Sequence, residues 1–152
     1  MTIEPTATTV AGAGLEFEDA ARLRDALRGV RVLHNTYWVR FAHGGTDHAL
    51  AVERSRRLFR AAAEAGVERI VHVSITNPSL DSPLPYFRGK AEVEQALRGS
   101  GVSHAVLRPA VFFGGRDVLI NNIAYLLRRL PAFGVARGRY GLQPIHVEDL
   151  AG

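Results

Sequence analysis

The chain has 152 residues, no cysteine and a formal charge of +4 from nineteen basic and fifteen acidic side chains. That is one domain's worth of sequence, 47% hydrophobic and able to bury a core. A disulfide framework and thiolate metal sites are excluded, and no run approaches the ~18 to 20 apolar residues of a membrane span.

The arginines are scattered. The densest groups, Arg54-Ser55-Arg56-Arg57 and Arg128-Arg129, read as solvated helix faces rather than as a stripe for nucleic acid. Met1 to Val10 has neither the basic start nor the apolar run of a signal peptide. The expectation is a cytoplasmic protein with a small-molecule substrate, no nucleic-acid partner and no membrane contact.

In chain order, Thr9 to Phe17 is a glycine-diluted strand candidate. Glu18 to Arg28 reads as a helix with Leu23 and Leu27 on one face, stopped by Gly29. Val30 to Asn35 is a short buried strand. Thr46 or Asp47 caps a long helix to Ala65, closed by Gly66. Arg69 to Ser74 is β-branched and apolar, a strand. Tyr86 to Arg98 is helical, Ser103 to Arg108 a strand stopped by Pro109, and Asp117 to Leu130 a helix stopped by Pro131. Pro144 to Val147 is a short strand, and Glu148 opens a further helix.

Strands alternating with helices at this spacing mean βαβ units and a mostly parallel sheet. Ligands of such sheets bind beyond the carboxyl ends of the strands. Asn35, Ser74 and the run from Pro109 to Gly115 follow three strands, so they are expected to line one crevice.

Lys90 is the single lysine of the chain, and it lies four residues after Tyr86. The two share a helix face. A free phenol titrates near ~10, so proton exchange near neutral pH needs a neighbour that favours phenolate, and an ammonium does so. Ser74, twelve residues before Tyr86, can donate a hydrogen bond to the oxygen that a tyrosine serves. His43 and His48 lack a third ligand at useful spacing, so no metal site is predicted. Tyr37-Trp38-Val39-Arg40-Phe41 reads as core or crevice wall.

The run from Ile70 to Gly114 resembles the short-chain dehydrogenase/reductase superfamily. It is most similar to the extended branch, the nucleotide-sugar-epimerase-like and NmrA-like oxidoreductases. Ser74, Tyr86-x-x-x-Lys90, the exit run Leu107 to Gly114, Val32 to Thr36 and His146 to Ala151 carry the resemblance. It implies that Tyr86 is the general acid/base, that Lys90 holds the nicotinamide ribose and lowers the phenol pKa, and that Ser74 orients substrate. It further implies that Pro109, Ala110 and Val111 pass the nicotinamide carboxamide, and that Asn35, Thr36 and Tyr37 pass the cofactor's ribose and phosphates. Asn121 and Asn122 become substrate-contact candidates. The cofactor implied is NAD or NADP.

The implied fold is α/β, a partial Rossmann (doubly wound) domain with a mostly parallel sheet. Against the family it is read as lacking the first two strands and the glycine-rich turn. Residues 1–14 are expected to be poorly structured and 15–152 family-like. Without a first strand beside it, Val30 to Asn35 becomes an exposed edge that invites self-association or a complementing chain. Three functions stay open: an oxidoreductase or epimerase, a dinucleotide-binding module without turnover, and an inactive fragment.

Overall fold

The computed structural model describes residues 15–115, 117–132, 134, 141 and 143–151. Leu15 to Glu18 form loop and turn, where Asp19 N donates to Glu16 O at 3.1 Å. This corrects the strand expected there: the turn breaks extension, and Phe17 instead lays its ring 4.7 Å from that of Tyr37. The rest of that candidate, residues 9–14, lies outside the described residues.

Helix α1 spans Ala20–Ala26, with Asp19 accepting from Ala21 N and Arg22 N. Strand β1 is Val32–Asn35. Helix α2, His48–Ala65, starts at Asp47, whose carboxylate accepts from Leu50 N at 2.8 Å. It ends at Gly66, held at φ 78°, a left-handed backbone that glycine adopts without a Cβ penalty. Strand β2 is Arg69–Val73, helix α3 is Pro85–Arg98 and strand β3 is Ser103–Leu107. Pro85 sits at the first position of α3, where its missing N–H has no partner to lose.

The three strands form a parallel sheet in the order β1-β2-β3, with Leu33 opposite Ile70 and Ile70 opposite His104. Helices α2 and α3 pack on one another over the face that carries Ile70 and His72. Phe59, Leu58, Ile70, Val93 and Leu97 form the centre of the core, each at most 1% exposed. Among the described residues β1 is, as expected, an edge of this sheet.

Strand β4, Val111–Phe113, was not expected. It pairs in parallel with β5, Pro144–His146, as a separate two-stranded sheet. Between them runs α4, Val118–Arg129, capped by Asp117, and after β5 comes α5, Val147–Ala151. No residue of α4 is buried, and Val118, Leu119, Tyr125, Leu126 and Leu127 are exposed. Among the described residues no helix is long and apolar enough to cross a membrane.

Candidate functional site

The carboxyl ends of β1, β2 and β3 open on one cleft of about 330 Å³. Its lining comes from four places. Thr36, Trp38 and Arg40 follow β1; Val73, Ser74 and Ile75 close β2; Tyr86 and Lys90 share one face of α3. Pro109 to Phe112, with Asp117 and Leu119, follow β3. The volume sits at the lower end of the range for small-molecule pockets.

Strand alternation sets Ser74 on the buried face with Ile70 and His72, two residues apart each. Its N–H donates to Leu107 O at 2.7 Å, the last backbone bond before β2 and β3 diverge. Ser74 is 4% exposed, and Glu94 is close by.

Lys90 is 3% exposed. Its Nζ donates to Val73 O at 3.1 Å and stands 4.7 Å from the Trp38 ring centroid. Burial pushes the ammonium down to about 8, and Glu94 opposes this. The group therefore stays charged at neutral pH, with donors beyond the one given to Val73. Tyr86 meets Trp38 and His48 edge to face, at 5.9 and 5.7 Å between centroids. Trp38 thus stands between the α3 face and α2, stacked on His48.

Gly89 makes this packing possible. A Cβ there would lie 2.9 Å from the Trp38 ring and 3.3 Å from Val52. Gly89→Ala is expected to lose about 1–3 kcal/mol by overpacking and to displace the tryptophan wall; urea unfolding measures it. Unchanged stability would mean that the ring moves aside freely.

Glu94 braces the back of the site. It is 1% exposed and takes both Arg108 and Arg98 as ion-pair partners. Burial pushes its carboxyl up, but hydrogen bonds from Arg108 and Ser74 and the charges of Arg108 and Arg98 bring it net below the usual range. The arrangement ties the step from β3 into Pro109 to helix α3.

Of the site residues expected from sequence, Ser74, Tyr86, Lys90, Thr36, Pro109, Ala110 and Val111 come together around the cleft. Asn35 does not line it. It is 3% exposed, with Oδ1 accepting from Tyr37 N and Nδ2 donating to His72 Nδ1, both at 3.0 Å. Tyr37 also lies off the lining, against Phe17. Asn121 is exposed, and its side-chain amide donates back to Asp117 O at 2.6 Å; Asn122 is exposed too. Arg40, Phe112, Asp117 and Leu119 enter the lining without having been singled out as site residues. Of the aromatic run expected as core or crevice wall, Trp38 lines the cleft, while Phe41 is exposed.

The family model described as NAD(P)H-binding matches residues 3–121. The chain belongs to this NAD(P)H-binding family. The 40 kDa subunit of mitochondrial NADH-ubiquinone oxidoreductase from Neurospora crassa is 32% identical over 65% of the chain and 26% of that protein. The mouse mitochondrial NADH dehydrogenase [ubiquinone] 1 alpha subcomplex subunit 9 is 33% identical over 63% of the chain and 26% of its own length. The chain therefore spans about a quarter of the curated relatives it matches. Among solved structures, a double mutant of the dTDP-glucose 4,6-dehydratase DesIV from Streptomyces venezuelae, with NAD bound, superimposes with a TM-score of 0.62 at 25% identity. That match covers 88% of this chain and 50% of the other.

These matches bear out the extended short-chain dehydrogenase/reductase family, the α/β Rossmann class and NAD or NADP as cofactor. They overturn the cytoplasmic placement, because both of the curated relatives are mitochondrial proteins by name. That expectation rested on the lack of cysteine and of a signal-peptide-like start, and neither carries weight against them.

Proposed function

We propose that this chain provides the reacting end of an NAD(P)-dependent oxidoreductase or epimerase, with Tyr86 as the proton-transfer group, Lys90 as its electrostatic support and Ser74 as the substrate-orienting donor. The observation that carries the reading is the buried ammonium of Lys90, held in a cleft with Tyr86 and the Ser74 hydroxyl. A lysine buried with a backbone carbonyl and a ring face, and with no salt bridge to a carboxylate among the described residues, destabilises the fold. Chemistry at the cleft accounts for its place there.

The residues fit the nicotinamide half of a dinucleotide. Lys90 has donors to spare for ribose hydroxyls, and Pro109 to Val111 offer backbone along one wall. No described segment carries the G-x-x-G-x-x-G spacing that seats a pyrophosphate. When bound, the nicotinamide supplies or accepts the hydride. Ser74 Oγ donates to the substrate oxygen, Tyr86 exchanges a proton with that oxygen, and the Lys90 charge favours the phenolate form. Trp38 and Phe112 limit water on the flanks.

A second reading is a dinucleotide-binding protein without turnover, favoured by the identity to subunits of NADH-ubiquinone oxidoreductase. One experiment separates the two. NADH and NADPH are titrated calorimetrically, and their oxidation is followed with a panel of aldehydes, ketones and nucleoside diphosphate sugars. Tyr86→Phe should keep dinucleotide affinity and lose about 10²–10⁴-fold in turnover. Binding without any turnover in the parent protein selects the second reading; turnover that survives Tyr86→Phe removes the tyrosine from the mechanism.

A further inference from the structure

A second cation faces the same cleft as Lys90. Arg40 lines it from the loop after β1. Its guanidinium lies 5.7 Å from the centroid of Phe41, a residue 77% exposed, and it makes no ion pair among the described residues. Several arginines of the described helices behave differently: Arg22, Arg24, Arg54, Arg56, Arg57 and Arg98 are each matched to a carboxylate.

Among the described residues the cleft has one acidic lining residue, Asp117, and its Oδ1 is engaged by Ile120 N at 2.6 Å as the cap of α4. Two cations against one carboxylate leave the cleft net positive. Trp38, Val111, Phe112 and Leu119 make much of the remaining wall apolar. A guanidinium in such a wall presents a planar fork of donors suited to a carboxylate or phosphate, and an uncharged ligand would leave those donors without a matching acceptor.

We propose that the reacting molecule is an anionic carbonyl or carbinol compound whose carboxylate or phosphate is taken by Arg40. The inference rests on the oxidoreductase reading above. The reacting oxygen lies with Ser74, Tyr86 and Lys90, and the anionic group at the Arg40 side fixes which way round the molecule enters. In the oxidative direction the carbinol carbon gives its hydride to the oxidised nicotinamide and its hydroxyl proton to Tyr86. A carbonyl forms, and the anionic group is unchanged. The phosphates of the dinucleotide share the same chemistry, so the test must tell the two sources apart.

The test uses para-formylbenzoate and its uncharged isostere para-formylbenzamide, titrated calorimetrically into the free protein and into protein saturated with NADP. NADH and NADPH are titrated separately. The parent protein should bind the carboxylate about tenfold more tightly than the amide, as one charge-assisted hydrogen-bonded pair allows. Arg40→Gln should erase that preference while leaving NADH and NADPH affinity within about twofold. Equal affinity for the two aldehydes, binding of neither, or a preference that survives Arg40→Gln overturns the proposal. Loss of NADPH affinity in Arg40→Gln with the aldehyde preference intact assigns the arginine to the cofactor and overturns it equally. If the parent protein binds no dinucleotide, the oxidoreductase reading fails, yet the aldehyde comparison on free protein still answers for Arg40. Exposed Arg40 packs no core, so circular dichroism should show the variant folded.

Discussion

Lys90→Met is expected to stabilise the folded chain while lowering turnover by about 10²–10⁴-fold. The two effects have one cause. Burial drops the Lys90 ammonium from 10.5 to about 8, and at 1.36 kcal/mol per pH unit that difference corresponds to about 3 kcal/mol of destabilisation at neutral pH. Methionine fills similar space without a charge. It forfeits the bond to Val73 O and the contact with Trp38, together about 2 kcal/mol, so a net gain of about 1 kcal/mol remains. The sign with pH follows from a folded value below the unfolded one. The full stability from this group is present above pH 10.5 and is lost as pH falls through about 8. Parent stability should therefore climb by up to about 3 kcal/mol across that window, and the methionine variant should lack this component. Urea unfolding at pH 7 and pH 10 reads both numbers. A variant clearly less stable than the parent at pH 7 would show that the ammonium is well solvated after all.

Acid should unfold the chain through His72. The amide of Asn35 is oriented by Tyr37 N on its oxygen, which leaves Nδ2 to donate to His72 Nδ1. The imidazole must then be neutral with its proton on Nε2, which is buried and unpartnered. Protonation would set a donor against a donor. Burial first, and the charge of Lys90 second, push His72 down to about 4, against support from Asn35 and Glu94. Its contribution is fully present above about pH 6.5 and is lost as pH falls through about 4, in total about 3 kcal/mol. At pH 5 the parent should already have lost about 2 kcal/mol through this residue. His72→Gln keeps an acceptor for Asn35 and does not titrate, so its unfolding free energy should stay nearly flat from pH 7 to 5.5. If parent and variant fall in parallel over that range, other groups carry the acid response.

Much of the architecture could be read from residue order alone, because its signals are local. Asp47 and Gly66 bracket α2, Pro85 opens α3, and the β-branched run at Ile70 to Val73 makes β2 nearly unavoidable. The four-residue step from Tyr86 to Lys90 fixed a shared helix face, and the structure opens that face on the cleft. What escaped was non-local. Strand β4 is three residues long, follows closely on Pro109 and exists only through a partner 33 positions later. The ion pair of Glu94 with Arg108 joins a helix to the end of a strand. Trp38 meets Gly89 across two layers. Asn35 was expected to line the crevice because it ends a strand, and the family resemblance made it a cofactor contact, but the histidine opposite it in the register claims its amide.

Trp38 is also the chain's single tryptophan. Its indole stands at the cleft with a cation on its face and an imidazole stacked beside it. Ultraviolet emission of the protein therefore comes chiefly from one spot, a few ångströms from where a dinucleotide would react. A reduced nicotinamide absorbs in the band where indole emits, so ligand arrival should dim that light without any added dye.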